Sequence, residues 1–224
     1  MSAPDLQVLR SVLYMPSSNA RALEKARTIP TDAIIFDTDN TLYAYDGPHA
    51  KATAATEAKA VRLLGADIDS VRRAFAQARE EVKQQLGATA SSHSRLLYFQ
   101  RGIEILGRKT QLLITLDLEQ TYWRTFLSHS ELFPGVRDLL VNLRNRDIAT
   151  AIITDLTSQI QFRKIIYFGL DDCFDYVVTS EEAGADKPHP APFRLAIDKL
   201  GVPPERIWMV GDSRRCDVDG AREF

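Results

Sequence analysis

The sequence predicts an α/β fold, a doubly wound, Rossmann-like parallel sheet with an inserted all-helical domain. Three observations predict it. From Phe133 onward, strand-length apolar runs alternate with stretches of helical periodicity, as in a parallel sheet with helices on both faces. The runs Ala33–Phe36, Ala149–Ile153 and Ile207–Val210 each end abruptly in acidic, hydroxyl or glycine residues. Between Leu42 and Leu132 the pattern is almost wholly helical, and no strand-like run interrupts it. The expected organisation is a strand-helix extension over 1–32, an α/β core over 33–44 and 131–224, and a helical domain over 45–130.

A chain of 224 residues is long enough to bury a sizeable core. Its formal charge of −2 gives no electrostatic reason to expect nucleic acid or an anionic membrane as partner, so a small metabolite is the default ligand. Met1–Arg10 has no apolar core of signal-peptide length and no run approaches the roughly 18 residues of a membrane span, which predicts a cytoplasmic protein. Cys173 and Cys216 are too few and too far apart for a disulfide framework or a thiolate metal cluster.

Taken in order, Val8–Met15 is strand-like, Pro16-Ser17-Ser18-Asn19 offers helix-start chemistry, and Ala20–Arg27 is rich in helix formers. With Ala33 starting the next strand, this is a compact βαβ pattern. The stretch Ala33-Ile34-Ile35-Phe36-Asp37-Thr38-Asp39-Asn40-Thr41-Leu42 organises the rest. A buried strand runs into two carboxylates spaced i, i+2, which fall on one side of an extended chain. Groups just past the carboxyl ends of such strands face the crevice where ligands bind. Two carboxylates held there repel one another, so the site calls for a cation.

The helical region divides into Lys51–Leu64, Ser70–Leu86, Ser92–Leu106 and Thr110–Leu127, with Gly65, Gly87 and Gly107 as stop signals. Its most ligand-like part is Ser91-Ser92-His93-Ser94-Arg95, with Tyr98 and Arg101. Arg95, with His93 beside it, could pair with an anionic group of a substrate; alternatively Ser91 or Ser92 caps the helix and His93 and Arg95 are solvated. The core then continues as helix Val136–Arg144, strand Ile148–Thr154, helix Ser158–Phe168, strand Tyr176–Thr179, helix Pro192–Leu200 and strand Ile207–Val210.

The ordered set Asp37-x-Asp39-x-Thr41, Thr154, Lys187 and Gly211-Asp212-x4-Asp217 resembles the four motifs of the haloacid dehalogenase superfamily of aspartate-nucleophile phosphatases. The resemblance implies Asp37 as nucleophile and Asp39 as the acid that protonates the leaving alcohol and then activates water. It implies Thr154 and the Asp155 amide as ligands of a phosphoryl oxygen, with Thr41 also at the substrate, and Lys187 neutralising Asp37 and the transferring group. Mg2+ would be held by Asp37, the Asp39 carbonyl and Asp212, with Asp217 acting through a bound water. Haloacid dehalogenases themselves have no acid at the position of Asp39, which argues for a phosphatase here. The helical insert resembles the superfamily's first, C1-type, class of cap. The stretches Asp37–Tyr43, Leu132–Val136 and Val178–Glu182 are most similar to the nucleoside-5′-monophosphatase and acylneuraminate-9-phosphatase-like branches. The implied substrate is a sugar phosphate or a nucleoside monophosphate, and the implied state a monomer or homodimer. A phosphomutase shares all four motifs, and a non-catalytic partner module of a larger assembly is the alternative from another class.

The wording from Leu9 to Ala26 carries a second resemblance, to the opening strand and helix of the citrate lyase β-subunit and malyl-CoA lyase family. It covers about the first 36 residues and carries no lyase residue over. Superfamily members usually run on past the last motif for another strand, so the Val8–Met15 strand is expected to take the edge place beside Ile207–Val210, where backbone groups would otherwise lie unpaired.

Overall fold

The computed structural model describes residues 12–14 and 31–223. They divide into two compact units, Tyr45–Ser130 and the remainder. The remainder, the core unit, is built on five parallel strands: β1 (Val12–Tyr14), β2 (Ala33–Phe36), β3 (Ala149–Thr154), β4 (Tyr176–Thr179) and β5 (Ile207–Gly211). Their order is β1-β5-β2-β3-β4. β1 takes the edge place beside β5 that the sequence assigns to it, with Val12 opposite Met209 and Tyr14 opposite Gly211. The rest of the lyase-like opening lies outside the described residues.

β2 is central, and all four of its residues are buried. A strand covered on both faces has no polar side, which explains its unbroken apolar run. One face meets the helix Pro190–Leu200, where Ile35, Ile153, Val178 and Met209 pack with Phe193 and Ala196. The register pairs Phe36 with both Ile152 and Val210, so β3 runs on past the end of β2 to Thr154 and β5 to Gly211 on the same side. The loops leaving these strands therefore emerge at one edge of the sheet. Helix Val136–Arg144 matches its predicted bounds, and its buried Val136, Leu139, Leu140 and Leu143 give the stripe of an amphipathic helix.

The helical unit consists of α1 (Asp46–Leu64), α2 (Ile68–Leu86), α3 (Arg95–Ile105) and α4 (Leu112–Ser128). The core helices that bear on the site continue this series as α5 (Val136–Arg144), α6 (Ser158–Tyr167) and α7 (Pro190–Leu200). α1 starts earlier than its apolar periodicity, because Gly47 and Pro48 fall in a first turn where a missing N–H leaves no bond unmade. Asp67 caps α2 by accepting from the Ser70 N–H at 2.9 Å. The predicted helix from Ser92 needs correction. Ala90–His93 forms a short 3-10 turn, and Ser94, not Ser91 or Ser92, caps α3 by accepting from the Leu97 N–H at 3.3 Å. Ser92 is buried, with its carbonyl accepting from the Tyr98 hydroxyl. α2 and α3 approach closely at Gly102, where a Cβ would stand 2.4 Å from the Phe75 ring.

Candidate active site

Asp37 follows the last residue of β2 and is held at the sheet edge by its N–H, which donates to the Val210 carbonyl at 2.8 Å. The chain then turns back: the Thr41 and Leu42 N–H groups both donate to the Thr38 carbonyl, at 3.2 and 2.9 Å. Asn40 makes the turn possible by adopting a left-handed φ of 57°, which asparagine tolerates better than most side chains. The turn brings the Thr41 hydroxyl to Oδ2 of Asp37 at 3.3 Å.

Lys187 approaches from the loop after the Ser180–Ala183 helical turn. Its Nζ donates to Asp37 Oδ1 at 2.7 Å, to Asp217 Oδ1 at 2.6 Å and to the Ile153 carbonyl at 3.2 Å. These bonds use all three of its donors. Asp155 fixes the backbone of this lysine, with Oδ1 accepting the Lys187 N–H at 2.8 Å. Its carboxylate is thus a positioning group, a role the sequence did not assign to it.

Asp212 and Asp217 complete an acidic cluster with Asp37, in which one carboxylate oxygen from each lies within 4.8 Å of the others. Asp217 is 1% exposed; its other oxygen accepts from the Ser213 N–H at 2.9 Å. The carboxyl packs directly on Gly211, where a Cβ would meet Asp217 Cγ at 2.3 Å. Only glycine leaves room there for the carboxylate.

The electrostatics follow from this crowding. Burial raises the Asp37 carboxyl from 3.8 to about 7; Lys187 opposes the rise and Asp217 adds to it. Burial, and then Asp217, raise Asp212 as well. Burial alone would lower Lys187, but Asp37 and Asp217 hold its ammonium well above the ordinary lysine value. An all-oxygen acidic cluster that its resident lysine only partly neutralises fits a hard divalent cation. Asp37 and Asp212 are the candidates for direct ligands. Asp217, with both oxygens engaged by protein donors, is suited to hold a ligand water.

Asp39 stands apart from the cluster's lysine and has its own. Its Oδ1 accepts from Lys164 Nζ at 2.9 Å and from the Tyr43 hydroxyl. The Lys164 ammonium also lies 5.6 Å from the Tyr43 ring centre. Thr154, at the end of β3, has its hydroxyl 3.1 Å from that of Thr38, and the buried Gln161 amide donates to both. Gln161 and Lys164 were not assigned from sequence, yet they leave a trace there. Both lie on the buried face of α6 with Ile160 and Ile165, polar residues where the periodicity asks for apolar ones.

The structure thus brings together Asp37, Asp39, Thr41, Thr154, Asp155, Lys187, Asp212 and Asp217 at the carboxyl edge of the sheet. His93 and Arg95 belong to the helical unit. Arg95 donates to the His93 carbonyl at 3.0 Å and to the Tyr45 hydroxyl at 2.6 Å.

A parallel sheet whose central strand ends in spaced aspartates, with a buried lysine and an acidic loop against them, is suited to hydrolysis through a carboxylate. The chain belongs to the haloacid dehalogenase-like hydrolases, whose family model matches residues 31–224. It is 37% identical over 191 residues to ribulose-1,5-bisphosphate 5-phosphatase of Halopiger xanaduensis, covering 84% of this chain and 80% of that one. A glyceraldehyde 3-phosphate phosphatase of Methanopyrus kandleri is 29% identical over 192 residues, covering 84% and 78%. Among solved structures, a 2-haloacid dehalogenase from Pseudomonas syringae superposes with a TM-score of 0.70 at 20% identity, over 86% of this chain and 83% of that one. A phosphatase of the same superfamily from Thermococcus onnurineus gives 0.65 at 26% identity, over 86% and 82%.

Proposed function

We propose that this hydrolase is a magnesium-dependent phosphatase of a small sugar phosphate, working through an aspartyl-phosphate on Asp37. The observation that carries the reading is the pair of spaced aspartates with separate cations: Asp37 bound to Lys187 at 2.7 Å, and Asp39 bound to Lys164 at 2.9 Å. A phosphate monoester resists attack because its oxygens are negative, so catalysis rests on positioning and charge neutralisation. Asp37, fixed by Lys187 and Thr41, attacks phosphorus while the bond to the leaving oxygen breaks. Asp39 gives that oxygen a proton. In the second half, Asp39 takes a proton from the attacking water, the acyl-phosphate bond breaks at phosphorus, and inorganic phosphate leaves with Asp37 restored. Thr154 and the Asp155 amide hold the phosphoryl oxygens, and Lys187 offsets their charge.

Mg2+, held by Asp37, the Asp39 carbonyl and Asp212 with Asp217 behind a bound water, would neutralise the carboxylates and the phosphoryl group when bound. In this reading the inserted helical unit serves as a cap that shields substrate from water, and His93 and Arg95 are its candidate substrate contacts. The names of the two curated relatives favour a sugar phosphate over a nucleoside monophosphate. A small metabolite as substrate accords with a cytoplasmic reaction, and among the described residues no helix is long and apolar enough to cross a membrane. The test is phosphate release from a panel of sugar phosphates and nucleoside monophosphates, with Mg2+ and with chelator. Turnover that needs Mg2+ and is fastest on a sugar phosphate supports the reading; turnover indifferent to chelator, or confined to nucleotides, overturns it.

A further inference from the structure

The helical unit carries a half-open cavity of about 200 Å³ where its four helices meet, between His49 and Thr53 of α1, Phe75 of α2, Arg95 and Tyr98 of α3, and Tyr122 of α4. That volume is below the usual range for drug-sized pockets and suits a compact metabolite. The walls are mostly carbon, yet a guanidinium stands among them. Arg95 lies 5.3 Å from the Tyr98 ring centre, 5.0 Å from Tyr122 and 5.9 Å from Trp123. Its hydrogen bonds to the His93 carbonyl and the Tyr45 hydroxyl bring no negative charge.

Among the described residues Arg95 forms no ion pair with a carboxylate. Arginine stays protonated, and Arg95 is partly buried, so leaving its cation without a counter-charge carries a cost. Nor does the helix explain it, because Arg95 is the first residue of α3, the end at which the helix dipole disfavours a cation. The other charged lining residues are already paired, Glu57 with Arg72 at 2.9 Å and Arg79 with Glu80 at 2.8 Å, so they bring Arg95 no counter-charge. The guanidinium of Arg95 without a carboxylate partner, the small half-open volume and the aromatic walls all ask for the same kind of guest.

We propose that this cavity binds a small organic anion, with Arg95 as counter-ion to its acidic group and the rings of Phe75, Tyr98 and Tyr122 against its carbon skeleton. The proposal deepens the phosphatase reading, on which its source arm rests: the anion is either a second acidic group of the substrate or a separate effector.

Trp123 beside Arg95 provides the readout, and replacing Trp208, the other of the chain's two tryptophans, leaves it as sole reporter. The Trp208→Phe protein is titrated in EDTA with 3-phosphoglycerate. The expected result is a saturable change in Trp123 fluorescence that survives Asp37→Asn and weakens at least tenfold in Arg95→Met. Arg95→Lys, which keeps the charge but loses the planar fork, is expected to weaken it less, with an unchanged melting temperature. No saturable change, or one indifferent to both Arg95 variants, overturns the proposal. Turnover then separates the sources. If the anion belongs to the substrate, Arg95→Met lowers kcat/KM for ribulose 1,5-bisphosphate but not for glyceraldehyde 3-phosphate. If it is an effector, added 3-phosphoglycerate changes the turnover of glyceraldehyde 3-phosphate by the wild type, and that response is lost in Arg95→Met. Failure of the phosphatase reading shows separately, as no turnover on any substrate with the fluorescence titration intact.

Discussion

Lys164 reaches across 125 residues of sequence to place its ammonium 2.9 Å from Oδ1 of Asp39, and the Tyr43 hydroxyl donates to the same oxygen. The lysine side chain is 2% exposed while that of Asp39 is 38% exposed, so the buried partner sets the position of the open one. A carboxylate that must meet first a leaving oxygen and then a water gains from having its rotamer fixed.

Replacing Lys164 by methionine keeps the length and apolar stem of the side chain but removes the ammonium that fixes Asp39, leaving the Tyr43 hydroxyl. The expected result is a fall in kcat on the order of tenfold, equivalent to ~1.4 kcal/mol of barrier, with KM little changed. Steady-state kinetics on the best sugar phosphate checks it; an unchanged kcat would show that Lys164 is structural only.

Gln161 ties the end of β2 to the end of β3 through Thr38 and Thr154. Because its amide donates to both hydroxyls, and Thr38 can donate to Thr154, the Thr154 proton is left to point at a bound anion. Gln161→Leu is expected to cost about 1–3 kcal/mol in urea denaturation, as buried hydroxyls lose their donor. It is also expected to raise KM as the Thr154 rotor is released. The Gln161 Oε1 has no hydrogen-bond partner, which sets the stability loss toward the lower end. A variant as stable as wild type with the same KM would contradict this.

At Gly211 an added methyl would fall 2.3 Å from the Asp217 carboxyl carbon. Gly211→Ala must push Asp217 off Lys187, so overpacking of about 1–3 kcal/mol should come with weakened metal dependence. Magnesium titration of turnover, expected to need several-fold more metal, tests this alongside thermal unfolding.

Asp37 sets a pH dependence in the metal-free protein. Its folded value of about 7 lies above the ordinary 3.8, so the native state holds this proton more tightly than the unfolded chain does. Its contribution to stability is therefore complete below about pH 4 and is lost as the pH rises toward 7, at up to about 1.4 kcal/mol per pH unit. Wild type should lose stability relative to Asp37→Asn across that window. Denaturation in EDTA near both ends of the window measures it, and parallel pH profiles would contradict the buried, crowded carboxylate described here.

What was legible in sequence is what local pattern encodes. The unbroken apolar run of β2 announced a strand covered on both faces, and Asp37 at its end announced a crevice residue. Residues 136–144 and 176–179 begin and end as their periodicity says. Lys164 and Gln161 were missed because their role depends on which side of α6 faces the strand ends, a tertiary relation that helical spacing does not contain. Asp155 was read for its amide, whereas its carboxylate positions Lys187. The α3 boundary moved because three serines compete for one cap, and the 3-10 turn that buries Ser92 decides in favour of Ser94.

The central claim is that Asp37 carries the phosphoryl group. The most direct measurement is rapid acid quench of wild-type protein turning over its best sugar phosphate with Mg2+, with peptide mass spectrometry of the quenched protein. The expected result is a transient phosphoryl adduct on the peptide containing Asp37, absent in Asp37→Asn together with turnover. Phosphate release that continues in Asp37→Asn, or an adduct on another residue, would contradict it.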